Sequence, residues 1–230
     1  MNSDSADYLN PAYDSFAESK EHLNLFDFDG TLFRGDSFAD FPIFAFGKLK
    51  FGIALLRSIP DLIKWKLGKI SNSEAKERFF SRLYKGKSVA DINDIAIRYS
   101  ARIDDRLHPR AASRFFKALD KSEQVYIISA SPQIWLQPWV ETVRHKYPDA
   151  RLILLATIPE TDCHGVLTGK FASPNCHGAE KVRRFLEFIA TDKVCESSRP
   201  FVRENFYITA HGDSSGDTVM FEFADKHYKY

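Results

Sequence analysis

The sequence predicts an α/β fold built on a parallel sheet and interrupted early by an all-helical insert. Three observations carry this. Short apolar runs of strand length recur near residues 23–28, 125–130, 151–156 and 206–210. Stretches of helical periodicity fill much of the intervals, an alternation that suits parallel strands joined through helices. Between residues 37 and 107 no convincing strand pattern occurs. With 230 residues, 44% hydrophobic and 27% charged, the chain can bury one good core plus a small accessory unit. The expected division is an α/β core from 1–36 and 108–230 and a helical cap from 37–107.

Residues 1–21 are polar and acidic and read as a loose lead-in. The first strand, near Leu23–Phe28, is bulky enough to be fully buried, and Gly30 marks a sharp exit from it. The run delivers Asp27 and Asp29, which in an extended chain share the face opposite Phe28. Two such carboxylates repel unless a cation sits between them. A hard divalent ion, Mg²⁺ above all, meets that need and draws in phosphate oxygens. Asp29-Gly30 alone would equally close a hairpin.

Within the insert, Ser58-Ile59-Pro60-Asp61 reads as a fresh helix start and Ser71-Asn72-Ser73-Glu74 as a capping box. The second core run ends in Ser129-Ala130-Ser131-Pro132. Ser129 falls at the strand's carboxyl end, where open α/β sheets bind ligands; Ser131, ahead of Pro132, reads as the cap of the next helix. Lys181 opens an amphipathic helix carrying Val182, Phe185, Leu186 and Ile189. Its ammonium is either a solvated surface charge or a screen for phosphate and carboxylates. Phe206–Ala210 then empties into His211-Gly212-Asp213-Ser214-Ser215-Gly216-Asp217. If a helix begins near Ser214, Asp213 and Asp217 share one side of its first turn, as metal-site carboxylates or as ordinary caps.

Together, Asp27-Phe28-Asp29-Gly30-Thr31, Ser129, Lys181 and Gly212-Asp213-Ser214-Ser215-Gly216-Asp217 resemble the haloacid dehalogenase-like superfamily in its phosphoserine-phosphatase-like branch. The resemblance implies a Rossmann-like core with an inserted helical cap, Mg²⁺ as cofactor and a phosphomonoesterase mechanism. By it, Asp27 is the nucleophile and Asp29 the acid and base. Asp27, the backbone carbonyl of Asp29, Asp213 and neighbouring Asp217 make the metal shell, and Ser129 and Lys181 hold the phosphoryl oxygens. Thr31, Asp36, Ala130 and the cap residue Arg78 are expected beside them at the substrate, with Phe41 and Phe44 nearby. Phosphoserine phosphatases carry a glutamate where this chain has Asp36, an arginine that aligns with Phe80, and an asparagine at Gly216. These departures place an unspecified phosphomonoester first, a lipid phosphate second and phosphoserine third. A phosphotransferase and an inactive surface-binding protein are the other readings.

A net charge of +1 gives no pull toward nucleic acid. The distribution says more: residues 37–107 hold fourteen Lys and Arg against eight Asp and Glu, or +6, leaving −5 elsewhere. From Phe41 to Lys69 the chain is rich in apolar residues, with six basic residues and the single acid Asp61. Such a segment suits peripheral contact with an anionic membrane, as in the bacterial phosphatidylglycerophosphatases that its cap resembles, or packs its apolar stripe inside a bundle. Its charges rule out a span. The absence of an apolar leader points to the cytoplasm, and three cysteines, Cys163, Cys176 and Cys195, fit free thiols there. Cys163-His164 and Cys176-His177 lack zinc-knuckle spacing, and the stretch between them reads as a short hairpin.

Overall fold

The computed structural model describes residues 20–191 and 201–230; nearly all of the lead-in and Cys195 lie outside them. Its centre is a five-stranded sheet in the order β3-β2-β1-β6-β7. The strands are β1 (Glu21–Phe26), β2 (Gln124–Pro132), β3 (Arg151–Thr157), β6 (Phe206–Gly212) and β7 (Lys226–Lys229), and every neighbouring pair is parallel. The four strands read from the sequence are present. The fifth, Lys226-His227-Tyr228-Lys229, is a polar edge strand with too little apolar pattern to be recognised.

Alternation along the strands sorts the core into two layers. Leu23, Leu25, Tyr126, Ile128, Ile153 and Ile208 pack beneath α6 (Ala179–Thr191) and α7 (Thr218–Phe223). Phe26, Val125, Ile127, Leu152 and Leu154 face α4 (Pro109–Asp120) and α5 (Gln133–Lys146).

The insert forms α1 (Ser37–Lys66), α2 (Asn72–Tyr84) and α3 (Val89–Asp105). Ser71 caps α2, its Oγ accepting from Glu74 N at 3.0 Å, while the Glu74 carboxylate pairs with Arg78. The start expected at Ser58-Pro60 does not exist: Pro60 lies inside α1, and the Ser58 hydroxyl bonds back to the Ala54 carbonyl at 2.8 Å. The break falls instead at Gly47, where φ is +83°, a conformation glycine adopts without steric cost. The insert has no core of its own. Phe41 stacks on Trp135 of α5 at 4.9 Å and Phe80 on Tyr84 at 4.4 Å, within the same cluster as Phe26 and Ile127.

The stretch expected to form a hairpin between the two Cys-His pairs supplies only one strand, β5 (Leu167–Phe171); its antiparallel partner, β4 (Pro159–Thr161), lies ahead of Cys163. Backbone bonds from Gly86 N to Leu167 O (2.8 Å) and from Leu167 N to Lys87 O (2.9 Å) tie β5 to the insert.

Candidate active site

The site lies beyond the carboxyl ends of β2, β1 and β6, the central strands of the sheet. β1 ends at Phe26, two residues earlier than expected. Asp27 leaves the strand with its N–H bonded to His211 O at 2.8 Å, which sets it beside the end of β6. Its Oδ1 accepts from Lys181 Nζ at 2.5 Å and its Oδ2 from Thr31 Oγ1 at 3.2 Å. Lys181 also donates to Asp217 Oδ1 at 2.5 Å. All four of these residues are buried. Burial lifts the Asp27 carboxyl to about 7, against the pull of Lys181. Lys181 itself is raised, because Asp27 and Asp217 outweigh the burial that opposes its charge.

Asp217 sits in a capping box at the turn that follows β6: its Oδ2 accepts from Asp213 N, Ser214 N and Ser214 Oγ, each at 3.1 Å. Burial raises its carboxyl, but Lys181 and these donors outweigh it and hold it below the usual range. Asp213 is raised, by burial and then by Asp217. Oxygens of Asp27, Asp213 and Asp217 lie within 4.8 Å of one another. Gly30 makes the approach possible: its φ is +80°, and a Cβ there would stand 2.2 Å from Asp213 Oδ2.

The Asp29 carboxylate stands outside this triad, correcting the view that it shares a cation with Asp27 on one strand face. Because the strand has already ended, the chain turns Asp29 into a separate set of donors. Ser37 N reaches Oδ1 at 2.6 Å and Ser131 Oγ reaches Oδ2 at 2.5 Å. Ser37 Oγ donates to Ser131 Oγ at 2.9 Å and accepts from Trp135 Nε1 at 3.3 Å. Burial and then the charge of Asp36 raise the Asp29 pKa, opposed by the two serines. Ser131 is therefore no helix cap; it lies within β2, and α5 begins without a side-chain cap.

Ser129 is buried, its Oγ accepting from Ser131 N at 3.0 Å. Asp36 caps α1, accepting from Phe38 N at 2.8 Å. Phe41 is core rather than pocket wall. Arg78, expected at the substrate, closes α2 onto α1 instead: its guanidinium pairs with Asp61 and with Glu74, both at 2.6 Å. Glu74 and Arg78 stand four apart, a helix ion-pair spacing that signals this in the sequence.

The insert's cation that does reach the site is Lys76, a residue the sequence reading missed. Its Nζ donates to Ala130 O at 2.7 Å and Asn175 Oδ1 at 3.3 Å, and lies 4.6 Å from the Phe38 ring centroid. Burial lowers its pKa to about 8, partly offset by the charges of Asp29 and Asp36. Gly216 also gains a reason: a Cβ there would meet His177 Cε1 at 2.4 Å, so the imidazole takes up the space a side chain would need.

A parallel α/β sheet that gathers an acidic triad, a buried lysine and a separately held Asp29 at the carboxyl ends of its central strands has the layout of a hydrolase site. The chain belongs to the haloacid dehalogenase-like hydrolase family, whose model matches residues 25–222. Protein CicA of Caulobacter vibrioides is 30% identical over 211 residues, covering 89% of this chain and 83% of that protein. A solved protein of unknown function from Bordetella pertussis Tohama I superposes with a TM-score of 0.71 at 18% identity, over 91% of this chain and 90% of the other. A phosphoserine phosphatase solved as a phospho-aspartyl intermediate analogue shares the fold with a TM-score of 0.52 at 17% identity, over 91% and 86% of the two chains. Among the described residues no helix is long and apolar enough to cross a membrane.

Proposed function

We propose that the protein is a Mg²⁺-dependent phosphomonoesterase working through an aspartyl-phosphate on Asp27. The observation that carries this is the division of labour between two neighbouring carboxylates. Asp27 is bracketed by Lys181 and the carboxylates of Asp213 and Asp217, whereas Asp29 is held apart on Ser37 and Ser131. A carboxyl whose pKa burial raises, held apart on two hydrogen-bond donors, suits a general acid, and one beside a lysine suits a nucleophile.

An Asp27 oxygen attacks phosphorus, forming the acyl-phosphate as the ester P–O bond breaks, and Asp29 gives its proton to the departing alkoxide oxygen. Water then attacks the phosphorus, Asp29 takes its proton, and Asp27 leaves as carboxylate with release of phosphate. Three carboxylates converging within 4.8 Å make a hard oxygen donor set that fits Mg²⁺. Asp27 and Asp213 would hold the ion beside Asp217, and when bound it neutralises phosphate charge. Asp217 orients Asp213 and Lys181. Lys181 and Ser129 are assigned to the phosphoryl oxygens, and Lys76 to the substrate's anionic end from the cap side.

The test is Mg²⁺-dependent phosphate release from a panel of soluble phosphomonoesters, together with far-UV circular dichroism. Asp27→Asn is expected to keep the fold and lose turnover; measurable turnover by that variant would overturn the assignment.

A further inference from the structure

The outer face of α1 beyond Gly47 has a chemistry that the proposed reaction does not use. Leu49, Leu56 and Ile63 recur every seven residues and, with Leu67, point to solvent at 78%, 66%, 53% and 64% exposure. Ala54, Ser58 and Asp61 mark the opposite, buried side of the same helix. Of the fourteen large apolar side chains exposed among the described residues, ten lie between Phe44 and Leu67. Globular proteins rarely leave so much contiguous apolar surface facing water without a partner.

Charge identifies that partner. Six Lys and Arg lie between Phe41 and Lys69, and the one acid, Asp61, is buried against Arg78 and Arg82. On a helical wheel Lys48 and Lys66 flank the apolar stripe on one side and Arg57 and Lys64 on the other. An apolar stripe edged by lysines on both sides is what an interfacial helix presents to anionic headgroups. Beside it, Lys50, Arg57, Arg82 and Lys87 line a hollow of about 220 Å³ that no carboxylate lines. On the inner side of α1, a largely apolar groove of about 330 Å³ runs past Leu55, Leu62 and Trp65 to Phe38 and Lys76.

We infer that α1 beyond Gly47 seats the protein on an anionic bilayer, with its leucines and isoleucines in the interface and its cations on lipid phosphates. A protein partner of matching shape would have to be both apolar and acidic; an anionic bilayer presents those two properties together over an unlimited area. Resting on the phosphomonoesterase reading, one deeper consequence follows: the groove ending at Lys76 takes the apolar portion of a membrane-derived phosphomonoester.

Co-sedimentation of the full chain with vesicles of mixed phosphatidylglycerol and phosphatidylcholine, and of phosphatidylcholine alone, reads the docking without any turnover. The chain is expected to pellet with the anionic vesicles and to be released by high salt. Leu56→Glu/Ile63→Glu, at positions that bury little, is expected to weaken binding by about tenfold or more while keeping its hydrolysis of p-nitrophenyl phosphate. Asp27→Asn is expected to pellet like the wild type, so failure of the catalytic reading and failure of docking are separately visible. A wild type that stays in the supernatant overturns the inference. So does undiminished binding by the double variant, or a dimer in velocity sedimentation that Leu56→Glu/Ile63→Glu returns to monomer in a protein that binds no vesicles.

Discussion

Replacing Lys76 by methionine separates a substrate-binding role from a structural one. Its Nζ lies 4.6 Å from the Phe38 ring centroid, and methionine keeps an unbranched apolar side chain there while removing the ammonium. A charge-assisted hydrogen bond to a substrate anion contributes about 1.5–3 kcal/mol. Its loss should therefore lower kcat/KM by about 10- to 150-fold. Stability should move the other way. Burial lowers the Lys76 pKa from 10.5 to about 8, so below pH 8 the folded state carries a charge it disfavours, by up to about 3 kcal/mol. Between about pH 8 and 10.5 the unfolded chain holds the proton and the folded chain does not, so Lys76 makes stability rise with pH over that window. The methionine variant should melt at the same or a higher temperature at neutral pH and lack that rise. The assay is kcat/KM for a soluble phosphomonoester on either side of pH 8, with thermal melts at each pH. Wild-type activity should fall as pH climbs through 8, and the variant should lack that limb. A variant with wild-type kcat/KM and an unchanged alkaline limb would refute the role.

Gly30→Ala should push Asp213 aside, since its Cβ would stand 2.2 Å from Asp213 Oδ2; Mg²⁺ affinity by titration calorimetry should drop with turnover, and an unaltered affinity would contradict the proposed metal shell. Ser131→Ala removes the 2.5 Å donor to Asp29 and should cut kcat by about tenfold with KM little changed; equal loss at every phosphomonoester is the expected pattern. Asp61→Asn breaks the bridges from Arg78 and Arg82, and because both guanidiniums are partly solvated the cost is only about 1–2 kcal/mol in urea unfolding. Burial raises the Asp61 pKa, but its arginine partners outweigh this and depress it. Its contribution is therefore present above about pH 4 and lost as acid takes the pH through the depressed value, so wild type and Asp61→Asn should converge there.

Much of this protein is written locally. Apolar runs of strand length determine β1, β2, β3 and β6, because a strand with bulky side chains on both faces is stable where both faces are covered by helices. Gly30, Asp213 and Asp217 are legible for a similar reason: a sharp exit from a strand and a capping turn have few sequence solutions. Lys181 stood out only through company, since a lysine on a helix is ordinary until tertiary structure buries it between Asp27 and Asp217. Other features depended on contacts that no local pattern encodes. Arg78 and Lys76 lie two residues apart on α2, so only the packing of that helix decides which faces the site and which pairs with Asp61. Ser131 looked like a cap before a proline, yet a strand extended through Pro132 delivers its hydroxyl to Asp29 across 102 residues of chain. The sequence by itself determined four of the five strands of the sheet and the acidic residues at their ends, because these follow from steric and periodic rules acting within a few residues. Tertiary structure decided which carboxylate meets the lysine, which cation the insert lends to the site and which face of α1 is left to solvent, because each depends on how distant segments share one core.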